Sequence, residues 1–356
     1  MKRKQLWGGI DAGVSTSRLV LVDEELHPVL DTVLPSDAAA ILDALAPYAD
    51  FEIVEVALEA GVATPLFRDL RSAGLSVSAL EIFKVSRYLR IRRNKTDRND
   101  ALGLAEMAKL QMPSISKVHL KSADTQQLRS KLALRQKLTM HRVACENMLR
   151  SLIRLHGGKF PQPFKSRQAK VSLQAEVAAL RLRTGVDLAA EVDPLIEVCT
   201  SLRRFLDRLE KDLGAWARAH PVCSHFLAIP GVGPISAISF LTAVEDPSRF
   251  PEAANVGAYL GLTPKVSQSG LLMRHGRISR MGNKLTRTHL TLAAASVLAQ
   301  RTADSPLKRW GLKIAERSGR RRARIAVARR LAVIMLAMWR DNLAYQPELA
   351  EPRLAI

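Results

Sequence analysis

Residues 9–23 read GIDAGVSTSRLVLVD, and this stretch decides the fold of the N-terminal part of the chain. An apolar run leads to Asp11, a turn of small and polar residues follows, and RLVLVD (18–23) is again mostly apolar. Two apolar runs around a short polar turn are typical of paired β-strands. We therefore expect Asp11 to end the first strand of a sheet.

The following segments extend these two strands into an α/β domain. Residues 51–60 (FEIVEVALEA) alternate at period two, which predicts a strand that ends near Glu59. The other predicted elements are a strand near 28–34, a helix after Ser36 and Asp37, a helix over 65–72, a strand within 75–86 and a helix capped by Thr96. Their order predicts a mixed sheet in a domain of about 110 residues.

Two stretches of heptad spacing predict long helices in the middle of the chain. Such helices turn back on each other within one monomer or pack against a second subunit, and the spacing leaves both options open. The first stretch comprises Leu134, Leu138, His141, Cys145, Met148, Leu152 and Leu155, and the second comprises Leu195, Cys199, Leu202, Leu206, Leu209, Leu213 and Trp216.

The charge of the protein is strongly asymmetric. Residues 1–100 contain 13 Lys+Arg and 15 Asp+Glu, whereas residues 101–356 contain 41 and 19. A basic region of this size predicts a polyanionic partner, because Lys and Arg displace counterions from a phosphate backbone. A solvated basic surface without a partner is the alternative. An anionic membrane is a weaker one, since aromatic residues make up only 5% of the chain.

Composition excludes several other classes of protein. A hydrophobic content of 47% argues against disorder along the whole chain. Cys145, Cys199 and Cys223 are too far apart in sequence for a CxxC zinc motif or a disulfide scaffold. The apolar run 331–339 is too short for the roughly 20 residues of a membrane span. We expect a cytoplasmic, nucleoid-associated protein without a membrane partner.

Four acidic residues are the candidate metal ligands. Asp11 and Glu59 end predicted strands, and Asp97 and Asp100 are spaced to share one face of a helix. Clustered carboxylates repel one another, and a bound divalent cation is the usual reason that a protein tolerates them. Two Mg²⁺ ions about 4 Å apart stabilise the attacking and leaving oxygens of a phosphodiester displacement. The alternative is a turn residue, a cap and a helix N-terminal charge pair.

A second motif lies in the basic half of the chain. Residues 226–244 (FLAIPGVGPISAISFLTAV) resemble a helix-hairpin-helix, in which Gly231 and Gly233 permit a tight turn. The backbone N–H groups of such a turn approach a DNA phosphate without reading bases. A plain helix–helix turn is the alternative.

The block 258–290 combines hydroxyl groups, cations and glycines. Hydroxyl and guanidinium groups together suit attack on a phosphodiester, because arginine neutralises the charge of the transition state. Its candidate residues are Ser267, Ser269, Arg274, Arg277, Arg280, Lys284 and Arg287. A further run, 317–330, contains seven arginines, among them Arg320, Arg321 and Arg322, which we expect to bind nucleic acid.

GIDAGVSTSRLVLVD, VALEAG (56–61) and above all KTDRNDALGLAEM (95–107) resemble the DEDD transposases of bacterial insertion sequences, the IS-one-ten family. The resemblance implies a RuvC-like N-terminal domain of the RNase H fold, with Mg²⁺ bound by Asp11, Glu59, Asp97 and Asp100. The block 258–290 resembles the second domain of that family, which implies a serine that bonds covalently to DNA. Ser269, before Gly270, is the first choice, and Ser267 is the alternative.

The resemblance also implies partners and a domain organisation. Family members are implied to act as homo-oligomers, dimers or tetramers, guided by a structured non-coding bridge RNA that pairs with donor and target DNA. We predict a RuvC-like domain over 1–112, a coiled-coil region over 113–220, a mainly helical domain with the helix-hairpin-helix and serine loop over 221–345, and a tail over 346–356.

Three other functions stay open at this point. A Holliday-junction resolvase would use the same carboxylates to activate water and would form no covalent intermediate. An actin-like ATPase or sugar kinase would use the turn after Asp11 to bind phosphate, although no second glycine-rich nucleotide loop is present. A non-catalytic nucleic-acid scaffold would need neither metal nor serine.

Overall fold

The structure, a computed structural model, describes residues 3–347 apart from 62, 93, 113, 114, 116, 161–166 and 271. The chain divides into two compact units, Met1–Lys121 and Ser122–Ile356. The domain boundaries proposed from the sequence at residues 112, 220 and 345 stay predictions. Most of the proposed tail, residues 348–356, lies outside the described residues.

The N-terminal unit is an α/β domain, as predicted. Its sheet has the order β3-β2-β1-β4-β5, in which β1, β2 and β3 pair antiparallel and β4 and β5 continue parallel to β1. The strands are β1 (Gln5–Ala12), β2 (Thr16–Val22), β3 (Pro28–Pro35), β4 (Glu52–Glu59) and β5 (Val77–Leu80). The helices are α1 (Ala38–Leu45), α2 (Thr64–Ser72), α3 (Ile82–Leu89) and α4 (Asp97–Leu110), with a 3-10 turn at Ala46–Tyr48.

Helices cover both faces of this sheet because successive strand residues point to opposite sides. One core contains Ile10 and Leu58 from the strands together with residues of α1 and α2. The other contains Trp7 and Ala57 together with residues of α3 and α4. The second face is the one that carries Asp11 and Glu59, since they follow the same alternation.

The strand predicted within residues 75–86 is only partly correct. β5 ends at Leu80, and the Glu81 carboxylate accepts a hydrogen bond from the Phe83 amide as the N-cap of α3. The apolar residues beyond Leu80 belong to a helix whose buried residue is Val85. The alternation that predicts a strand therefore changes to helical spacing at Glu81.

The C-terminal unit is mostly helical, as predicted, and contains one two-stranded ribbon. Its helices are α5 (Ala123–Leu155), α6 (Arg167–Thr184), α7 (Ala189–Ala219), α8 (Pro221–Leu227), α9 (Pro234–Val244), α10 (Asn255–Tyr259), α11 (Lys284–Val297), α12 (Pro306–Ser318) and α13 (Arg320–Arg340), with a 3-10 turn at Pro247–Arg249. The ribbon consists of β6 (Pro264–Ser269) and β7 (Leu272–Ile278). Neither α6 nor the ribbon was predicted from the sequence.

The two heptad stretches have different outcomes. α5 and α7 are long helices that pack together, and the heptad residues Cys199, Leu206 and Leu213 of α7 are buried. In α5 the buried residues are Leu132, Leu149 and Ile153, which lie outside the predicted heptad line. Within the first heptad stretch, Cys145 packs against the core that contains Cys199, whereas Leu134, Met148 and Leu155 are exposed.

Candidate active site

The four predicted carboxylates lie at one end of the N-terminal sheet. β1 and β4 are parallel neighbours in which Ile10 pairs with Leu58, so Asp11 and Glu59 come next on adjacent strands. Asp97 and Asp100 lie in the first turn of α4, which packs on β1. The fold thus brings residues from three distant parts of the sequence to the same sheet end.

Gly9 allows α4 to pack directly on β1, two residues before Asp11. A Cβ atom at Gly9 would overlap the carbonyl oxygen of Ala101 and the amide nitrogen of Ala105, and it would lie 2.9 Å from Cβ of Leu104. The two backbones are therefore too close for any side chain at this position. This contact fixes the position of α4 on β1. It therefore also fixes the position of the Asp97–Asp100 turn relative to Asp11.

Hydrogen bonds and ion pairs hold the start of α4 in place. The Thr96 hydroxyl caps the helix by accepting a bond from the Asn99 amide (3.2 Å). Arg98 Nε lies 2.8 Å from Oδ2 of Asp31, which also pairs with Arg18 on β2. These contacts connect the first turn of α4 to β2 and β3.

The electrostatics of the site agree with a cluster of like charges. Burial raises the pKa of Asp11, and the negative charges of Asp100 and Asp97 raise it further. Burial likewise raises the pKa of Glu59, and Asp11 and Asp100 add to this effect. The positive charge of Lys95 opposes both shifts in pKa. The carboxylates are thus close enough to repel one another.

The donor set suits a hard divalent cation. Carboxylate oxygens are the preferred ligands of Mg²⁺, and a cation would relieve the repulsion that raises the pKa values of Asp11 and Glu59. The four carboxylates do not form a closed coordination shell by themselves. Among the described residues, the group of at least three acidic, cysteine or histidine side chains whose ligand atoms all lie within 4.8 Å of one another is Asp23, Glu25 and His27.

The group of Asp23, Glu25 and His27 lies in a turn after β2, and the structure of this turn explains why the three side chains are close together. The Asp23 carboxylate accepts hydrogen bonds from the amides of Glu25 and His27, both at 2.9 Å. These bonds lower the pKa of Asp23 and close the turn that leads to β3. Glu25 and His27 are exposed, and we assign no metal to this turn.

The candidate nucleophiles lie on the ribbon of the C-terminal unit. Ser267 pairs with Arg274, Ser269 pairs with Leu272, and both serines are exposed. Residues two apart on a strand share a face, so both hydroxyls lie on the face that Arg274 also occupies. Gly270 turns the chain between the two strands with φ +57°. The register thus places an arginine directly across from the alternative serine.

The turn between α8 and α9 connects two helices, as predicted, but its two glycines differ. Gly231 has φ +88°, and a Cβ there would lie 2.8 Å from the amide nitrogen and from Cγ2 of Val297. Close packing against α11 therefore explains why position 231 requires a glycine. Gly233 faces open space and stays a candidate for phosphate contact.

The predicted cationic residues also fall into two groups. Arg287 is half-buried, and its Nη1 donates hydrogen bonds to the carbonyls of Leu260 (3.0 Å) and Met281 (2.9 Å). It therefore shapes the loop before α11. The other predicted cations are exposed: Arg274, Arg277, Arg280, Lys284, Arg320, Arg321 and Arg322.

Sequence reasoning missed Lys95 as a member of the acidic site. Its charge opposes the repulsion at Asp11 and Glu59, and it lies within the KTD motif, of which only the threonine and the aspartate were assigned a role from the sequence. A basic residue two positions before a candidate metal ligand is the signal that identifies it.

Comparison with known proteins gives matches in both units. The profile of the DEDD transposases of IS110 type matches residues 8–157, and that of the Transposase IS116/IS110/IS902 family matches residues 223–309. The chain is 29% identical over 287 residues to the transposase for insertion sequence element IS1111A of Coxiella burnetii, covering 80% of this chain and 77% of the relative.

Two further relatives agree. A probable family 20 transposase of Pseudomonas aeruginosa is 28% identical over 300 residues, which is 82% of this chain and 86% of the relative. The pilin gene-inverting protein of Moraxella bovis is 30% identical over 126 residues, which is 35% of this chain and 38% of the relative.

An α/β domain with an acidic sheet end, followed by a basic helical unit, and these relatives define an enzyme that cuts and rejoins DNA. The chain belongs to the IS110 family of DEDD transposases, the proteins of bacterial insertion sequences. The family suggests the use of a divalent metal ion. Within the described ranges, we find no helix with the length and apolarity to span a bilayer.

Proposed function

We propose that this transposase moves its element by a serine-based strand exchange that depends on Mg²⁺ held by Asp11, Glu59, Asp97 and Asp100. The observation that carries the proposal is the meeting of these four carboxylates at one sheet end, with raised pKa values at Asp11 and Glu59. Such repulsion costs stability, and a cation-binding role is the physical reason to retain it.

The order of the sheet supports a RuvC-like domain of the RNase H fold. Three antiparallel strands followed by two parallel ones, in the order 3-2-1-4-5, place the ends of β1 and β4 side by side. The first and fourth strands then each supply one carboxylate. The helix that follows β5 and α3 supplies the other two.

In this scheme, the role of the four carboxylates is to bind and orient the divalent cation. The four acids would hold one or two Mg²⁺ ions, which would stabilise negative charge on a scissile phosphate.

 The partial burial of Asp11 and Glu59 keeps both side chains at fixed positions on their strands. Lys95 offsets part of the negative charge before a cation binds.

The serine ribbon supplies the nucleophile in this scheme. The serine Oγ attacks a DNA phosphorus and gives up its proton to solvent as a Ser–O–P bond forms, and the P–O bond to the neighbouring deoxyribose breaks as its oxygen takes up a proton from solvent. Attack by the hydroxyl of the second DNA strand reverses these changes and releases the serine. Arg274, across from Ser267, would neutralise phosphate oxygens during both steps, and Arg277 is a further exposed arginine of β7.

A covalent-adduct assay tests the nucleophile. Wild-type protein incubated with element-end DNA and Mg²⁺ should give a protein–DNA adduct that survives denaturation. Ser269→Ala should abolish the adduct and Ser267→Ala should retain it. The reverse pattern would assign the nucleophile to Ser267. Cleavage by the wild type without any adduct would contradict the proposal and support water-activated hydrolysis, as in a resolvase.

A structured guide RNA is the proposed source of sequence choice. The basic residues that are exposed in the C-terminal unit suit binding of two nucleic acids, although their charge alone does not distinguish RNA from DNA. Recombination in vitro should require the RNA transcribed from the DNA that flanks the reading frame. Equal recombination without this RNA would contradict the proposal. Nucleoid association follows from DNA binding and stays a prediction.

The exposed side of α5 supports a homo-oligomer. Leu134, Met148 and Leu155 lie on the predicted heptad line at multiples of seven residues and are 52%, 55% and 78% exposed. Exposed apolar residues at heptad spacing fit a coiled coil with a second copy. The combined change Leu134→Glu and Met148→Glu should lower the mass found by sedimentation. Leu182→Glu on α6, at a residue 89% exposed, is the matched control and should not.

A further inference from the structure

An aromatic ring and two arginines share the exposed face of α3. Phe83 is 72% exposed, and Arg87 and Arg90 are exposed as well. Their spacings of four and three residues place all three on one side of the helix. Val85 is buried on the other side. The exposed face of α3 thus combines one large aromatic side chain with two cations.

This face adjoins the acidic sheet end. Leu80, the last residue of β5, pairs with Glu59, and α3 starts two residues later. A Cβ at Gly61 would lie 3.5 Å from Cδ1 of Ile82. The start of α3 therefore lies beside the end of β4.

The connection from α3 to α4 leads back to the other two carboxylates. Arg92 donates a hydrogen bond to the Asn99 carbonyl (3.3 Å) and pairs with Glu106 on α4 at 2.5 Å. These contacts hold the connection against the helix that carries Asp97 and Asp100. The two ends of α3 thus border the end of the domain that carries the four acids.

The charge of this segment selects a polyanion as its partner. Residues 82–98 contain seven Lys and Arg and a single acidic residue, Asp97, although residues 1–100 as a whole carry more acidic than basic residues. The cations of the N-terminal unit are therefore concentrated beside its acidic end. Arginine binds phosphates, and an exposed aromatic ring stacks on a base of any sequence.

We propose that the α3 face binds an unpaired nucleotide of the nucleic-acid strand at the acidic end. Phe83 stacks on its base, and Arg87 and Arg90 neutralise the phosphates on either side. The biological setting rests on the function proposed above, in which a strand must reach these carboxylates. The site recognises a single-stranded segment, which DNA or RNA can supply.

Fluorescence of 2-aminopurine tests the stacking directly. The full-length protein is titrated without divalent metal, so that no strand is cut, into single-stranded DNA or RNA that contains this base analogue. Binding of the wild type should quench the fluorescence. Phe83→Leu should remove most of the quenching and weaken binding about tenfold, whereas Phe83→Trp should preserve both. Whichever strand binds with the higher affinity, DNA or RNA, identifies the source of the nucleotide.

Two comparisons make the test specific. Phe205→Leu on α7, at an aromatic residue 48% exposed, is the matched control and should behave as the wild type. The combined change Arg87→Gln and Arg90→Gln should reduce the slope of log affinity against log salt by about 0.7 for each lost phosphate contact.

Two results would overturn the proposal. One is wild-type quenching and affinity in Phe83→Leu. The other is a change of oligomeric mass in Phe83→Leu, which would make this face a contact between copies of the chain. Strand exchange that persists in Asp11→Asn would overturn the proposed function instead, and it leaves the stacking measurement unaffected because that assay needs no cleavage.

Discussion

The acidic end of the N-terminal sheet and the serine ribbon of the C-terminal unit are built in opposite ways. Asp11 and Glu59 are half-buried on adjacent strands, and α4 packs against β1 at Gly9. Every residue of β6, including Ser267 and Ser269, is exposed. The fold therefore fixes the carboxylates, whereas contacts outside the ribbon must determine where its hydroxyls act.

This difference predicts that substitutions at the two sites affect different properties of the protein, namely its stability at the acidic end and its reactions on DNA at the ribbon. Substitutions around the acids change contacts that the folded chain already makes, so they should alter the free energy of unfolding. Substitutions on the ribbon remove groups that face solvent, so they should alter reactions on DNA alone. Comparing unfolding with reactivity in the same variants therefore tests the contrast.

The largest effect on stability is expected from Gly9→Ala. The added methyl group would overlap the backbone of α4 at Ala101 and Ala105, and backbone cannot move aside as a flexible side chain does. We expect a loss of about 3 kcal/mol or more in the free energy of unfolding. Urea denaturation followed by circular dichroism measures it.

Gly8→Ala is the matched control for this prediction. Its Cβ would meet the side-chain atoms of Val56 and Leu21 at 3.0–3.2 Å, which requires only a small adjustment. An equal loss of stability in the two variants would show that close packing of α4 is not what the glycine at position 9 provides.

A smaller effect is expected from Thr96→Ala. The hydroxyl caps α4 through the Asn99 amide, and loss of such a cap costs about 1 kcal/mol. Thr96→Ser keeps the oxygen and should restore most of the stability. Thermal unfolding of the three proteins checks the prediction, and a Thr96→Ala protein as stable as the wild type would contradict it.

Local signals in the sequence predicted the elements around the acidic site. The polar turn after Asp11, the alternation that ends at Glu59 and the Thr96 cap are each encoded within a few residues, and all three are confirmed. The meeting of β1 with β4 depends on pairing between residues far apart in sequence. The spacing of residues along the chain does not by itself give this pairing.

The features that the sequence did not predict depend on tertiary contacts. Heptad spacing identified α5 as a helix, but the side that packs inward is the one that carries Leu132, Leu149 and Ile153. The ribbon that carries the serines has no buried side to leave a pattern, so its residues looked like a loop. Which neighbour covers a face is decided by the fold and not by spacing.

The repulsion among the acids predicts a pH-dependent gain of stability in Asp11→Asn. The folded state raises the pKa of Asp11 above its ordinary value of 3.8, so it binds the proton more tightly than the unfolded state does. Wild-type stability relative to the variant should therefore fall as the pH rises from about 4 through the raised pKa. Above that range we expect the variant to be more stable by about 1 kcal/mol or less, because solvent screens a partly exposed group.

Thermal unfolding of both proteins between pH 3 and pH 8 measures this difference. Mg²⁺ should raise the melting temperature of the wild type more than that of Asp11→Asn, since the variant lacks one ligand. A variant that is less stable than the wild type at neutral pH without metal would argue against repulsion at this site.

The smallest effect on stability is expected from Ser267→Ala and Ser269→Ala. Both hydroxyls are exposed on β6, and surface substitutions of this kind usually change stability by no more than about 0.5 kcal/mol. Unfolding by urea should therefore give the wild-type midpoint for both variants, while one of them loses the covalent adduct. A clear loss of stability in either variant would show that its hydroxyl has a partner within the folded protein. The contrast between a site fixed by the fold and a ribbon that depends on contacts outside it would then fail at that residue.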